Sequence, residues 1–148
     1  MTMLYKKKVH AYVTREKEGI MQLLVFKHRN IPEAGIQVPG GTVDEGETLT
    51  AAILREVQEE SGLCHLYIER FLADYIIYVK EKKEYQKRHF FHVSLVTDVK
   101  DTWEHIVSDG EEDKGLAFCY EWVDIAKCPE LAGKQGEFLH LLDEIYVK

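Results

Sequence analysis

Gly41-Thr42-Val43-Asp44-Glu45-Gly46-Glu47, followed after seven residues by Arg55-Glu56-Val57-Gln58-Glu59-Glu60-Ser61-Gly62-Leu63, decides how this chain is read. Three carboxylates fall within five residues, on a segment whose apolar spacing is that of an amphipathic helix. Two like charges ~4 Å apart repel by roughly 4 kcal/mol at an effective dielectric of ~20. A stable helix does not gather them without a reason, and a divalent cation supplies one. At about 100° per residue, Glu56, Glu59 and Glu60 lie within roughly 100° of arc and share a face. Ile53, Leu54 and Val57 are expected on a different side, as the core stripe. Thr48 suits an N-cap, and Gly62 suits a left-handed helix end with Leu63 as its apolar contact.

Upstream, Pro39-Gly40-Gly41 makes a tight turn. Gly40 can bring its backbone carbonyl close to a ligand. Oxygen donors of this kind suit Mg²⁺ or Mn²⁺ and suit zinc poorly. The competing reading is a solvated acidic face. The positions four residues after the three glutamates hold Glu60, Leu63 and Cys64, so no lysine or arginine partners follow. Arg55 is the cation at hand.

The fixed offsets Gly41, Glu47, Arg55-Glu56-Val57, Glu59-Glu60 and Gly62-Leu63 resemble the Nudix box, with every defining position filled. The resemblance covers residues 41–63. It implies an α+β fold, the Nudix α/β/α sandwich, with a mixed β-sheet between helices. It also implies a Mg²⁺- or Mn²⁺-dependent hydrolase that cleaves the diphosphate linkage of a nucleoside di- or triphosphate or a related nucleotide derivative. On that basis Glu56, Glu59 and Glu60 are the expected metal ligands, Glu56 and Glu60 foremost, with the Gly40 carbonyl as a further oxygen. Arg55 is expected to pair with Glu47 and hold the box loop against the helix. The family takes its general base either from the box, here Glu56, or from a separate loop, here Glu111 or Glu112.

With 148 residues, positions 1–148 read as a single domain with a core of ordinary size. The net charge of −7 argues against a general nucleic-acid binder and leaves metal ions to mediate contact with an anionic substrate. Cys64, Cys119 and Cys128 are odd in number and lack CxxC spacing, which reads as reduced thiols in a cytoplasmic protein. No apolar run approaches the ~20 residues of a membrane span. The basic, polar start Met1 to Lys8 lacks the apolar stretch of a signal peptide. The expected partner is therefore a small nucleotide, with no membrane, and the composition leaves a homodimer open.

Alternation predicts strands over 8–14, 20–28, 66–79, 88–97 and 116–123, with a charged turn over 80–87. The stripe Phe138, Leu141, Leu142 and Ile145 predicts a closing helix over 136–146. Lys27 and Arg29 lie two apart at a strand end and share a face, so they are candidate phosphate contacts. Tyr75, Tyr78, Phe91 and Trp103 are candidates for stacking on a base, although strand aromatics more often fill cores. His28, His89 and His92 show no ligand spacing.

Family features separate substrates less sharply. ADP-ribose hydrolases tend to carry a proline about fifteen residues past the box. Here that region reads Tyr75-Ile76-Ile77-Tyr78-Val79-Lys80. Dinucleoside polyphosphate hydrolases tend to carry a tyrosine slightly further on, and Tyr78 falls a residue or so early. Gln37 stands where a tryptophan often precedes the Val38-Pro39-Gly40 turn. A nucleoside triphosphate or other small nucleotide is the expected substrate. The alternatives are a dinucleoside polyphosphate hydrolase and a catalytically silent Nudix-fold module that binds nucleotides or regulates. An enzyme of RNA 5′ ends is opposed by the acidic charge.

Overall fold

The most buried strand of the sheet carries polar residues at both ends and a mostly apolar middle. In a computed structural model that describes residues 4–107 and 114–142, strand β1 (Lys6–Lys17) has Val9, Ala11, Tyr12 and Val13 fully inaccessible. Both of its faces are covered, which a strand reaches only in the middle of a layered fold. β1 runs parallel to β5 (Glu84–Leu95), in register from Lys6↔Gln86 to Thr14↔Ser94. The other pairings are antiparallel: β4 (Leu66–Val79) with β5, β1 with β2 (Ile20–His28), β2 with β7 (Ala117–Asp124), and β7 with β6 (Thr102–Ile106). The order across the sheet is β4-β5-β1-β2-β7-β6, and a short β3 (Gly40–Thr42) pairs with β1. The α+β class with a mixed sheet is thus the observed architecture.

Helix α1 (Leu49–Ser61) covers one face through Ala52, Ile53 and Val57, packed on Val9, Ala11, Val13, Leu24 and Phe26. Thr48 Oγ1 accepts from the Ala51 amide at 3.2 Å. Gly62 closes the far end at φ +79°, its N–H on the Gln58 carbonyl. The core stripe departs from expectation at Leu54, which is exposed. On a 100° wheel Glu60 lies about 20° from Ile53, whereas Leu54 lies about 100° away. The acidic face therefore abuts the apolar stripe, and Glu60 and Glu56 are drawn into the buried edge.

The opposite face packs Tyr12, Leu23, Val25 and Phe90 against Leu131 and Leu142. The chain that covers it runs through 3-10 turns at Ile125–Lys127 and Ala132–Lys134, then through turns to a helical stretch at 140–142. The closing helix expected over 136–146 is therefore seen only from residue 140, and its remainder lies outside the described residues. Tyr12 ties this cover down: its hydroxyl donates to the Gln135 carbonyl and accepts from the Phe138 amide.

One departure from regular pairing creates the cleft. β1 and β2 are in register only from Thr14↔Leu23 to Lys17↔Ile20, and then part. Gln37 to Val43 fills the gap: Gln37 exchanges both backbone bonds with Phe26, and the Pro39 carbonyl accepts from Ala11. The residues just before the helix are thereby wedged into the sheet. Replacing Tyr12 by Phe leaves the Phe138 amide and Gln135 carbonyl without this partner, and should cost about 1–3 kcal/mol. A lowered urea midpoint with unchanged slope checks this.

Candidate active site

The wedge opens a cleft of about 530 Å³, within the usual range for small-molecule sites. One wall is acidic: Glu56, Glu59 and Glu60 from α1, with Asp44 at the rim. Another wall is basic: Lys6 and Lys8 from β1, Arg88 from β5 and Lys82 from the β4–β5 turn.

Arg55 organises the acidic wall. Its Nε and Nη2 each reach a Glu47 carboxylate oxygen at 2.8 Å, a bidentate grip. Nη2 also donates to the Thr42 carbonyl at 3.0 Å. Nη1 donates to Glu56 at 2.8 Å and lies 3.3 Å from Glu59. Glu47 accepts in addition from the Asp44 amide, which closes the loop on itself. The Arg55 hydrogen bond holds the Glu47 carboxyl down at about 2, so Glu47 stays ionised at any working pH.

Glu56 behaves oppositely. Burial pushes its carboxyl up to about 7, against the pull of Arg55. Its carboxylate sits directly over Gly41, where any β-carbon would collide with it. Glu60 accepts from the Gly40 amide at 2.9 Å and its backbone carbonyl accepts from Tyr120. Gly40 thus enters the described site through its N–H. Among the described residues no three acidic, histidine or cysteine side chains already converge as a metal cluster. The donor set nevertheless fits a hard divalent cation: three carboxylates along one edge of the helix, Glu56 and Glu60 buried, with Glu56 short of positive charge and lying over Gly41.

The expected phosphate contacts are not brought to the cleft. Lys27 points away from it, because alternation along β2 turns Phe26 and His28 inward instead. Arg29 is exposed and pairs with Glu104 at 3.0 Å. Tyr78 is exposed, edge-on to Tyr85, while its neighbour Val79 lines the cleft. Phe91 is buried under α1. Tyr75 packs on Phe90 and Phe138. Trp103 stacks on Tyr120 at 5.0 Å and donates to the Ser61 carbonyl. Glu111 and Glu112 lie outside the described residues.

The cleft residues that the sequence reading passed over are Lys6, Lys8 and His10, with Gln86 and Arg88 beside them. The register Lys6↔Gln86 and Lys8↔Arg88 aligns them in neighbouring strands. The signal was polar side chains at every second position of a strand otherwise apolar enough to be central. His10 is buried with neither ring nitrogen hydrogen-bonded among the described residues. Burial, with Arg88 and Lys8 adding to it, holds its pKa down at about 3.

Residues 4–142 match the profile of the NUDIX domain. The chain belongs to the NUDIX domain family. A Bacillus subtilis (strain 168) protein named "Putative 8-oxo-dGTP diphosphatase" is 31% identical over 108 residues, covering 73% of this chain and 61% of its own length. The chain thus spans about three fifths of that relative. The NUDIX domain of Shewanella oneidensis NrtR complexed with ADP ribose superposes with a TM-score of 0.71 at 17% identity, over 99% of this chain and 91% of that one. The MutT protein from Methanosarcina mazei Go1 gives 0.67 at 21%, over 100% and 99%. At these identities the two structures establish the shared NUDIX fold. No helix among the described residues is long and apolar enough to cross a membrane.

Were Glu56 to hold a cation, its proton would make that binding depend on pH. A folded-state pKa raised to about 7 means that a cation must displace this proton at lower pH. Affinity for Mn²⁺ should fall by up to about tenfold per unit below pH 7 and level off above it. The rise in thermal midpoint caused by Mn²⁺ should accordingly be larger at pH 8 than at pH 5.5, and equal rises would contradict the assignment.

Proposed function

We propose that this NUDIX protein hydrolyses the diphosphate linkage of a small nucleotide, a nucleoside triphosphate foremost, with Mg²⁺ or Mn²⁺ held by Glu56, Glu59 and Glu60. The observation that carries the proposal is the cleft with an acidic and a basic wall. A polyphosphate is too negative to approach three carboxylates directly. It can be gripped by Lys8, Arg88 and their neighbours on one side, while a cation bridges it to the helix on the other. The name of the Bacillus relative favours a triphosphate among nucleotides.

When bound, the cation neutralises phosphate charge and acidifies the attacking water. The chain's own residues do the positioning. Arg55 fixes Glu56 and Glu59 against the loop held by Glu47. The Gly40 amide fixes Glu60. Such prior placement is where an enzyme of this kind gains most of its rate. Glu56 is the general-base candidate inside the site, and the Glu111–Glu112 pair is the external one.

The decisive measurement is release of pyrophosphate or phosphate from a panel of nucleotides with Mg²⁺. Glu59→Gln and Glu60→Gln should each lower turnover by at least about a hundredfold with an unchanged circular dichroism spectrum. The side-chain amide introduced by Glu60→Gln keeps an oxygen that can accept from the Gly40 N–H, so the fold is expected to hold. Near wild-type turnover in either variant would sink the ligand set. If Glu111 or Glu112 is the base, replacing both by Gln should flatten the acidic limb of the pH–rate profile, where the base would otherwise be protonated. An unchanged profile assigns the role to Glu56.

A further inference from the structure

The wall of the cleft contains a buried histidine that neither the phosphates nor the cation explains. His10 is 6% exposed, and both its ring nitrogens lack a hydrogen-bond partner among the described residues. Its ring stacks on Phe90 at 5.0 Å and 19°. Its Nδ1 lies 2.7 Å from where a β-carbon on Gly40 would stand, so the chain passes this close to the ring only as glycine. Of the two buried histidines on β5, His92 bonds through Nε2 to Thr14 Oγ1. His89 also has no hydrogen bond to either ring nitrogen among the described residues, but it lies 3.6 Å from Asp74 and does not line the cleft.

Leaving two buried polar atoms without hydrogen bonds costs stability, roughly 1–3 kcal/mol per group. Such a cost is expected where a ligand completes the bonds. Lys8 and Arg88 lie two residues along on either strand and supply the positive charge that phosphate needs. An imidazole buried beside two cations is uncharged, with one N–H donor and one lone pair. That pairing suits a group that itself both donates and accepts: a sugar hydroxyl or a nucleobase edge.

We propose that His10 is a specificity-determining residue that hydrogen-bonds the uncharged, non-phosphate part of the nucleotide. The proposal deepens the hydrolase reading above and rests on it. It predicts selectivity by the organic half of the substrate, since His10 adds nothing to the grip on phosphate.

Calorimetric titrations in magnesium buffer test it, with an α,β-methylene nucleoside triphosphate, ribose 5-phosphate and inorganic pyrophosphate as probes. His10→Leu should weaken the nucleotide by about tenfold and leave pyrophosphate unchanged. Ribose 5-phosphate weakened to the same extent assigns the bond to the sugar, and ribose 5-phosphate unaffected assigns it to the base. If nucleotide and pyrophosphate weaken equally, or neither does, the proposal is overturned. Should the Leu variant not fold, the wild-type protein decides. The ¹⁵N resonances of the His10 ring should move on adding the nucleotide and stay put on adding pyrophosphate, and the same response to both would refute the assignment. His10-dependent binding without hydrolysis of any nucleotide would strike the hydrolase reading alone. Hydrolysis with no His10 dependence would strike the subsite alone.

Discussion

The guanidinium of Arg55 is the interaction on which the rest of this structure depends. It sits between the loop that precedes α1 and the carboxylates that α1 carries, with hydrogen bonds to Glu47, Glu56, Glu59 and the Thr42 carbonyl. Arginine meets this demand because its donors are fixed in a planar fork that can serve several acceptors at once. A lysine in its place would offer one point of charge. The fork makes an acidic helix face tolerable before any cation arrives, and it couples loop to helix so that neither can shift alone.

The charge is left incomplete. Glu47 is saturated: two bonds from Arg55 and one from the Asp44 amide keep it ionised at any ordinary pH. Glu56 receives one bond from Arg55 and is buried, so its carboxyl is pushed up to about 7. Two glutamates that share one arginine are therefore driven to opposite acidities, Glu47 by its hydrogen bonds and Glu56 by burial. Glu47 serves as a clamp. Glu56 is a carboxylate waiting for more positive charge, which is the condition that favours a divalent cation.

The helix and its caps were legible because they rest on local chemistry. Thr48 and Gly62 mark its ends by their own hydrogen bonds and φ angle, and the acidic cluster stands out through its repulsion. Strands β2 and β4 were legible to the residue from their apolar runs. The short strands were not. β3 is three residues rich in glycine, and β6 is a polar five-residue strand at the sheet edge, held by pairing with β7. Neither carries its own signal. The phosphate contacts failed for a sharper reason. Lys27 and Arg29 share a face, as expected, but only the register and twist of the sheet decide which face meets the cleft. A shift of one residue puts Phe26 and His28 there instead.

The same argument explains why the basic wall was hard to find. Lys8 and His10 lie on the most buried strand, where a sequence reader expects apolar side chains on both faces. They are buried because β1 and β2 part, so that one end of a central strand borders a cavity where its middle borders core. The parting is itself produced by Gln37 to Val43, the chain that leads into the acidic helix. One insertion thus builds both walls: it delivers α1 on one side and uncovers the polar end of β1 on the other. The acidic motif can be read from twenty-three consecutive residues, 41–63. Its basic counterpart comes from two strands about eighty residues apart and exists only once they are paired.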